Sequence, residues 1–447
     1  MKNTILGALS LLIFYSIQSQ ENHSFSLEEA IDYGLVYNRT AQNAVSDITI
    51  AKKKQWETIA LGLPQINLNA EYNNNLKQGV SLIPSEIFGG PKGEFSEVVF
   101  GTQQQINATL RLDQLLFDGS YLVGLQASKV YLEISNRAKL KTDLEVKKAI
   151  IKAYCNVLLA TQQIDVLNRN LENLQSNLVE IQTIYENGLI EEENVEQLQI
   201  TLASLENSLQ YAQQMKIISQ GLLKMVLGIP NEDAIALTDS LEGLTLKQLA
   251  GFAPENPFII ENNIDFQIAK NNVASQKLLL KLARYKSLPS LSAFINGRYN
   301  GNNESFGFLD AEQPWFGSSM VGVKLTVPVF SSLKRSASVA QERLELKKQI
   351  NLFEDTQQEL NLKVASAKTS SRLAIKKFQT AQKTLKLAES IERKNQTKFY
   401  EGLASSFELY QAQNQLYTSQ NQLLLAMIDL INENTNLETL LHQTPAE

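Results

Sequence analysis

The chain has 447 residues, 43% apolar and 20% charged, with a formal net charge of −6. That balance lacks the basic stripe a nucleic-acid partner requires, so no nucleic acid is expected. The one cysteine, Cys155, excludes an intrachain disulfide, and the two histidines, His23 and His442, stand near the chain ends. A Ser-His-Asp site or a His-rich metal cluster would have to borrow a terminal tail, so neither an enzyme nor a cofactor is expected.

In chain order, Lys2 precedes an apolar stretch from Ile5 to Ile17 and then Gln18-Ser19-Gln20. This pattern predicts a secretory signal peptide over 1–19, cut after Ser19. A membrane anchor fits less well, because spanning takes about 20 apolar residues. No later stretch has the roughly 18 apolar residues of a transmembrane helix, so any membrane span must be a β-barrel.

Residues 20–230 form a first block, written helix, strand, loop, strand, long helix, turn, helix. Ile66, Leu68, Ala70 and Tyr72 alternate with polar residues, as do Ile106, Ala108, Leu110 and Leu112. Period two with one apolar face predicts strands. Between them, 73–104 reads as an outer loop, and Gly89-Gly90-Pro91-Lys92-Gly93 within it lacks the Ser/Thr and helix of a phosphate loop. From Gly124 to Gly221 the only glycine is Gly188, and no proline falls between 91 and 230. A very long helix with one turn at Gly188 follows. Ile164, Leu167, Leu171, Leu174, Leu178, Ile181 and Tyr185 step by three and four, a coiled-coil seam. Val195, Leu198, Leu202, Leu205 and Leu209 continue it on the return. Cys155, inside this helix, reads as a small buried apolar residue.

Residues 231–255 connect to a second block, 256–443, leaving a tail of 444–447. The second block repeats the first: Tyr400-Glu401-Gly402-Leu403 matches Tyr185-Glu186-Asn187-Gly188-Leu189, and Leu288-Pro289 matches Leu63-Pro64. Leu291, Ala293 and Ile295 predict a third strand, and Val321, Val323, Leu325, Val327 and Val329 a fourth, joined by a second outer loop, 300–315. Aromatic residues gather where these runs end: Tyr72, Phe100, Phe117, Tyr299, Trp315, Phe316 and Phe330. They read as an interfacial girdle. The fold class is therefore mostly α with a small β part: long antiparallel coiled-coil hairpins plus four β-strands per chain.

Four strands cannot close a membrane barrel, and open edges find no partners in lipid. Two chains would give eight strands, a barrel filled by its own side chains, whereas three would give twelve and leave a lumen. Asn67, Asn69, Asn107, Thr109, Lys324 and Thr326 would line it.

The opening Phe25-Ser26-Leu27-Glu28-Glu29-Ala30-Ile31, the turns at Leu63-Pro64-Gln65 and Leu288-Pro289-Ser290, and the strand ends Gln114–Gly119 and Leu325–Phe330 together resemble the TolC-like outer-membrane efflux family. The resemblance implies a homotrimer in the outer membrane. A twelve-stranded barrel there would continue as a helical tunnel through the periplasm, a passive channel of a tripartite efflux or type I secretion system. It implies a periplasmic adaptor docking at the tips, Gly188, Leu189, Gly402 and Leu403, and an inner-membrane pump of the RND or ABC kind. It also implies a constriction at Glu408 and Gln411, with Asn194 as the first-repeat counterpart of Glu408. The family's second acid is an amide here, Gln411, and its basic lock is Ala404. Glu191-Glu192-Glu193, just past the first turn, reads either as replacement negative charge or as a solvated helix start. The competing reading is a secreted coiled-coil scaffold or adaptor without a pore; the paired alternating strands of each block favour the channel.

Overall fold

The computed structural model describes residues 22–250 and 257–442. The expected signal peptide at 1–19, the end of the connecting segment and the tail at 444–447 lie outside the described residues.

The elements follow in the order β1 (Asn22–Phe25), α1 (Leu27–Tyr37), α2 (Arg39–Ala60), β2 (Gln65–Asn74), β3 (Val80–Pro84), β4 (Phe95–Val99), β5 (Gln104–Asp118) and α3 (Gly119–Glu186). After the first turn come α4 (Glu192–Leu227), β6 (Ala234–Leu237), α5 (Leu241–Ala250), α6 (Ile264–Tyr285), β7 (Ser290–Asn303), β8 (Trp315–Thr326), α7 (Lys334–Tyr400) and α8 (Ser406–Leu441). The two long helices have 68 and 67 residues, and each ends two residues before its glycine.

The compact units cut across the two blocks. One comprises 1–45, 138–266 and 357–447; the other comprises 46–137 and 267–356. The first is helical and holds the hydrophobic core. Ile150, Tyr154 and Cys155 on α3, Leu223 and Leu227 on α4, Leu241 on α5 and Leu430 and Ile431 on α8 are buried together. The Tyr154 hydroxyl donates to the Phe25 carbonyl (2.9 Å) and meets Asp239 Oδ2 (3.0 Å), while Asp239 Oδ2 also accepts from Leu27 N (2.7 Å). These bonds fix the connecting segment to the start of the chain, where β1 and β6 pair in parallel. Burial pushes the Cys155 thiol up to about 12, as suits an inert apolar position.

The second unit is built around a four-stranded antiparallel sheet ordered β2-β5-β7-β8. The predicted strands are present with their faces as read, save that β8 ends at Thr326. Val327 and Val329 keep the alternation but leave the ladder, because Pro328 has no N–H to donate. The expected loop at 73–104 contains a further hairpin, β3 with β4, and the glycine-rich run lies in its connection. Among the described residues, no helix is long and apolar enough to cross a membrane.

Candidate functional site

Register assigns every side chain of the sheet to a face. The rows Ile66–Leu112–Ile295–Val321 and Tyr72–Ile106–Gly301–Trp315 run straight across all four strands. Ile66, Leu68, Leu110, Ile295, Val321, Val323 and Leu325 thus share one face, and all are more than half exposed. The opposite face carries Asn67, Asn69, Glu71, Asn107, Thr109, Arg111, Asp113, Arg298 and Lys324. There Arg111 pairs with Asp113 (2.8 Å) and lies over the Phe294 ring (4.7 Å), and Arg298 donates to Asn107 (2.5 Å). A sheet covering a soluble core hides its apolar face; this one leaves most of it exposed. The apolar face of β8 runs ten steps from Trp315 to Leu325, about 34 Å along the strand. At the usual tilt of about 40° it spans about 26 Å, the height of a barrel's lipid-facing band.

Aromatic side chains gather at the Trp315 end of that face. Tyr72 packs edge-on against Phe306 and Phe308, and Phe308 leans on Trp315. Tyr72, Trp315 and Tyr299, all anticipated as girdle residues, stand on the apolar face near this end; Phe316, one residue on, points to the polar face. Phe306 and Phe308 were not singled out from sequence, because they sit in a loop without periodicity.

The other notable features are the two turns of the helical unit. Gly188 N donates to Tyr185 O (2.7 Å) and Leu189 N to Ile184 O (3.2 Å); Gly402 N donates to Phe399 O and Leu403 N to Lys398 O. Both are Schellman turns, with the glycine at φ +72° and +70° respectively, where a Cβ would be strained. Leu189 and Leu403 are 75% and 73% exposed at these turns.

The helices restart differently. At α8 the Ser405 hydroxyl accepts from Glu408 N (3.3 Å), and Glu408 Oε2 accepts from Ser405 N (2.8 Å), a reciprocal capping box. At α4 the cap residue Glu191 makes no side-chain bond, and Asn194 Nδ2 donates back to Glu191 O (3.0 Å). Glu408 and Gln411 are exposed and Asn194 is half-buried. Val195 and Leu409, next in sequence to Asn194 and Glu408, are buried in one cluster with Leu174, Ile181, Leu198, Leu205 and Phe399. Ser405-Ser406-Phe407-Glu408 carries the S-x-x-E signature of the α8 capping box. Further along, burial pushes the Tyr417 phenol up to about 12, with the Glu392 charge adding to the shift. It therefore stays neutral at ordinary pH. No cluster of metal-ligating side chains occurs among the described residues.

Residues 259–442 match the family model described as outer membrane efflux protein. The chain carries an outer membrane efflux protein domain. The matched family is one of outer membrane efflux, and the match covers the second block alone. No match is found among curated proteins. Among solved structures, the fold is similar to that of CusC (TM-score 0.74, 18% identity, 94% of this chain and 92% of that one), described in connection with transmembrane channel formation. It is also similar to the outer membrane protein VceC of Vibrio cholerae (TM-score 0.71, 15% identity, 93% and 96%). A third is the MtrE outer membrane channel of Neisseria gonorrhoeae in its open state (TM-score 0.70, 17% identity, 93% and 88%). The fold shared with these structures thus extends beyond the matched domain to nearly the whole chain.

Proposed function

We propose that three copies of this chain assemble into a passive conduit, a twelve-stranded barrel in the outer membrane continued by a tunnel of helical hairpins in the periplasm. The observation carrying this reading is the bare apolar face of a sheet with two open edges, β2 and β8. An isolated sheet of that kind in lipid leaves two rows of backbone N–H and C=O groups without partners. Pairing β8 of one copy with β2 of the next satisfies both rows, and the polar face then lines the lumen.

In this reading the helical hairpins form the periplasmic part, and their turns face a periplasmic adaptor coupled to an inner-membrane pump. Leu189 and Leu403 support it: an apolar side chain three-quarters exposed at the apex of each turn gains nothing from water, but a partner can cover it. Three copies of Glu408 would bring three carboxylates toward one axis, favouring cations in the narrowest part. The fold serves tripartite efflux and type I secretion equally.

Replacing Leu189 and Leu403 together by Asp tests the docking part. Export through the pump is expected to cease while the protein stays in the outer membrane at its normal oligomeric size. Unchanged export places adaptor docking elsewhere.

A further inference from the structure

The two blocks differ where the strands give way to the long helices. A shift of 214 residues, the separation of Gly188 and Gly402, carries α3 onto α7 without a gap. It places Tyr121, Leu122, Leu125, Gln126 and Lys129 on Arg335, Ser336, Val339, Ala340 and Arg343. In the first block this place is filled. The Tyr121 hydroxyl donates to Ile59 O (3.2 Å), and a Cβ on Gly62 would lie 2.2 Å from that hydroxyl. In the second block Ser287 stands where Gly62 does, before the shared Leu-Pro, and small residues replace Leu122 and Gln126. The result is a groove of about 380 Å³ lined by Ser287, Arg335, Ser336, Val339, Ala340 and Arg343.

The groove is basic. Residues 284–288 and 327–343 hold five cations, Arg284, Lys286, Lys334, Arg335 and Arg343, against one acid, Glu342, which binds Gln276 (2.7 Å). Arg335 donates to Ser331 Oγ (3.0 Å), Pro328 O (2.7 Å) and Val329 O (3.3 Å). A guanidinium has five N–H groups, so two remain to offer. Arg343 forms no ion pair among the described residues. The segment leading into α7 is apolar and bare: Val329 is 87%, Phe330 83% and Leu333 76% exposed. Ser332 and Leu333 are held at φ +46° and +64°, a backbone region that side chains such as leucine rarely adopt. This segment follows directly on β8 in the chain, next to the end of its apolar face at Leu325.

We propose that this groove binds the phosphate of an anionic phospholipid in the periplasmic leaflet, with Val329, Phe330 and Leu333 in its acyl region and Arg335 and Arg343 on its headgroup. Charge complementarity and continuity with the lipid-facing band select a lipid over other occupants. The first block, with Tyr121 in place, binds none. The inference rests on the outer-membrane channel reading.

Native mass spectrometry of the full-length protein extracted from membranes tests it, with phosphatidylglycerol, phosphatidylcholine and inorganic phosphate titrated separately. Phosphatidylglycerol is expected to be retained in preference to phosphatidylcholine, and K334Q/R343Q to reduce that retention roughly tenfold. The variant S336L/A340Q, which installs the first block's side chains and leaves every charge, is expected to reduce it similarly. Equal retention in both variants overturns the assignment, as does saturation by inorganic phosphate without lipid preference. Loss of oligomers in S336L/A340Q with no lipid bound to wild type overturns it in favour of a second copy seated on the groove. Wild-type protein inserted in the membrane but lacking bound lipid defeats this inference alone, whereas protein recovered outside the membrane defeats the channel reading too.

Discussion

In the helical unit, Tyr154, Leu223 and Leu430 are fully buried within one chain, and polar side chains such as Asp239 tie its pieces together. In the sheet unit, Val321, Val323 and Leu325 lie on an apolar face and are each more than half exposed among the described residues. Both units use ordinary hydrophobic side chains. The difference is that the helical unit buries a core of them within one chain, whereas the sheet leaves most of one face exposed. A face that is apolar, bare, regular and of membrane height is complementary to lipid, just as the opposite face with Asn67, Asn107 and Arg298 is complementary to water.

The contrast can be broken most strongly at Val321, in the middle of the apolar face. Val321→Lys places a charge near the bilayer midplane at a cost of about 2–4 kcal/mol per copy, multiplied over the copies in the barrel. Outer-membrane fractionation is expected to show little inserted protein. Normal insertion would mean that this face does not meet lipid.

The converse change belongs in the helical core. Leu223→Ala empties a fully buried site and is expected to destabilise the helical unit by about 2–5 kcal/mol, read by thermal unfolding in detergent. Protein that survives folding should still insert normally. A selective loss of insertion would show that the two kinds of hydrophobic burial are not separable.

A smaller effect sharpens the comparison at the turns. Ser405→Ala removes the cap of α8 and is expected to cost about 1 kcal/mol, seen as faster hydrogen exchange in the first turn of α8. At α4 there is no equivalent cap, so Glu191→Ala should leave exchange nearly unchanged. Glu408→Gln keeps the capping box, since Gln also serves at that position. It is therefore expected to preserve exchange while reducing cation selectivity in single-channel recordings. Unaltered selectivity would remove Glu408 from the constriction.

Much of this architecture was legible because its periods are strong. Seams such as Leu167–Leu171–Leu174–Leu178 specify helix packing, and alternation such as Ile66–Leu68–Ala70–Tyr72 specifies a strand and its faces. The glycines at 188 and 402 mark the turns because few other residues adopt positive φ. The β3–β4 hairpin was not legible: Val80-Ser81-Leu82-Ile83 is short and surrounded by Asn and Gly, so loop composition masks it. The pairing of β1 with β6 was hidden because it joins segments more than 200 residues apart, each only four residues long. The groove beside Arg335 became visible only when structure showed Tyr121 filling its counterpart. The proposed constriction residues rest on family resemblance alone, and Glu408 among them also caps α8.

The mass of the detergent-solubilised full-length protein tests the central claim most directly. Completion of the sheet by other copies predicts a species of three chains that persists in mild detergent. A monomer or dimer that still conducts in planar bilayers would contradict it, because a conducting pore would then exist without the twelve strands that three chains supply.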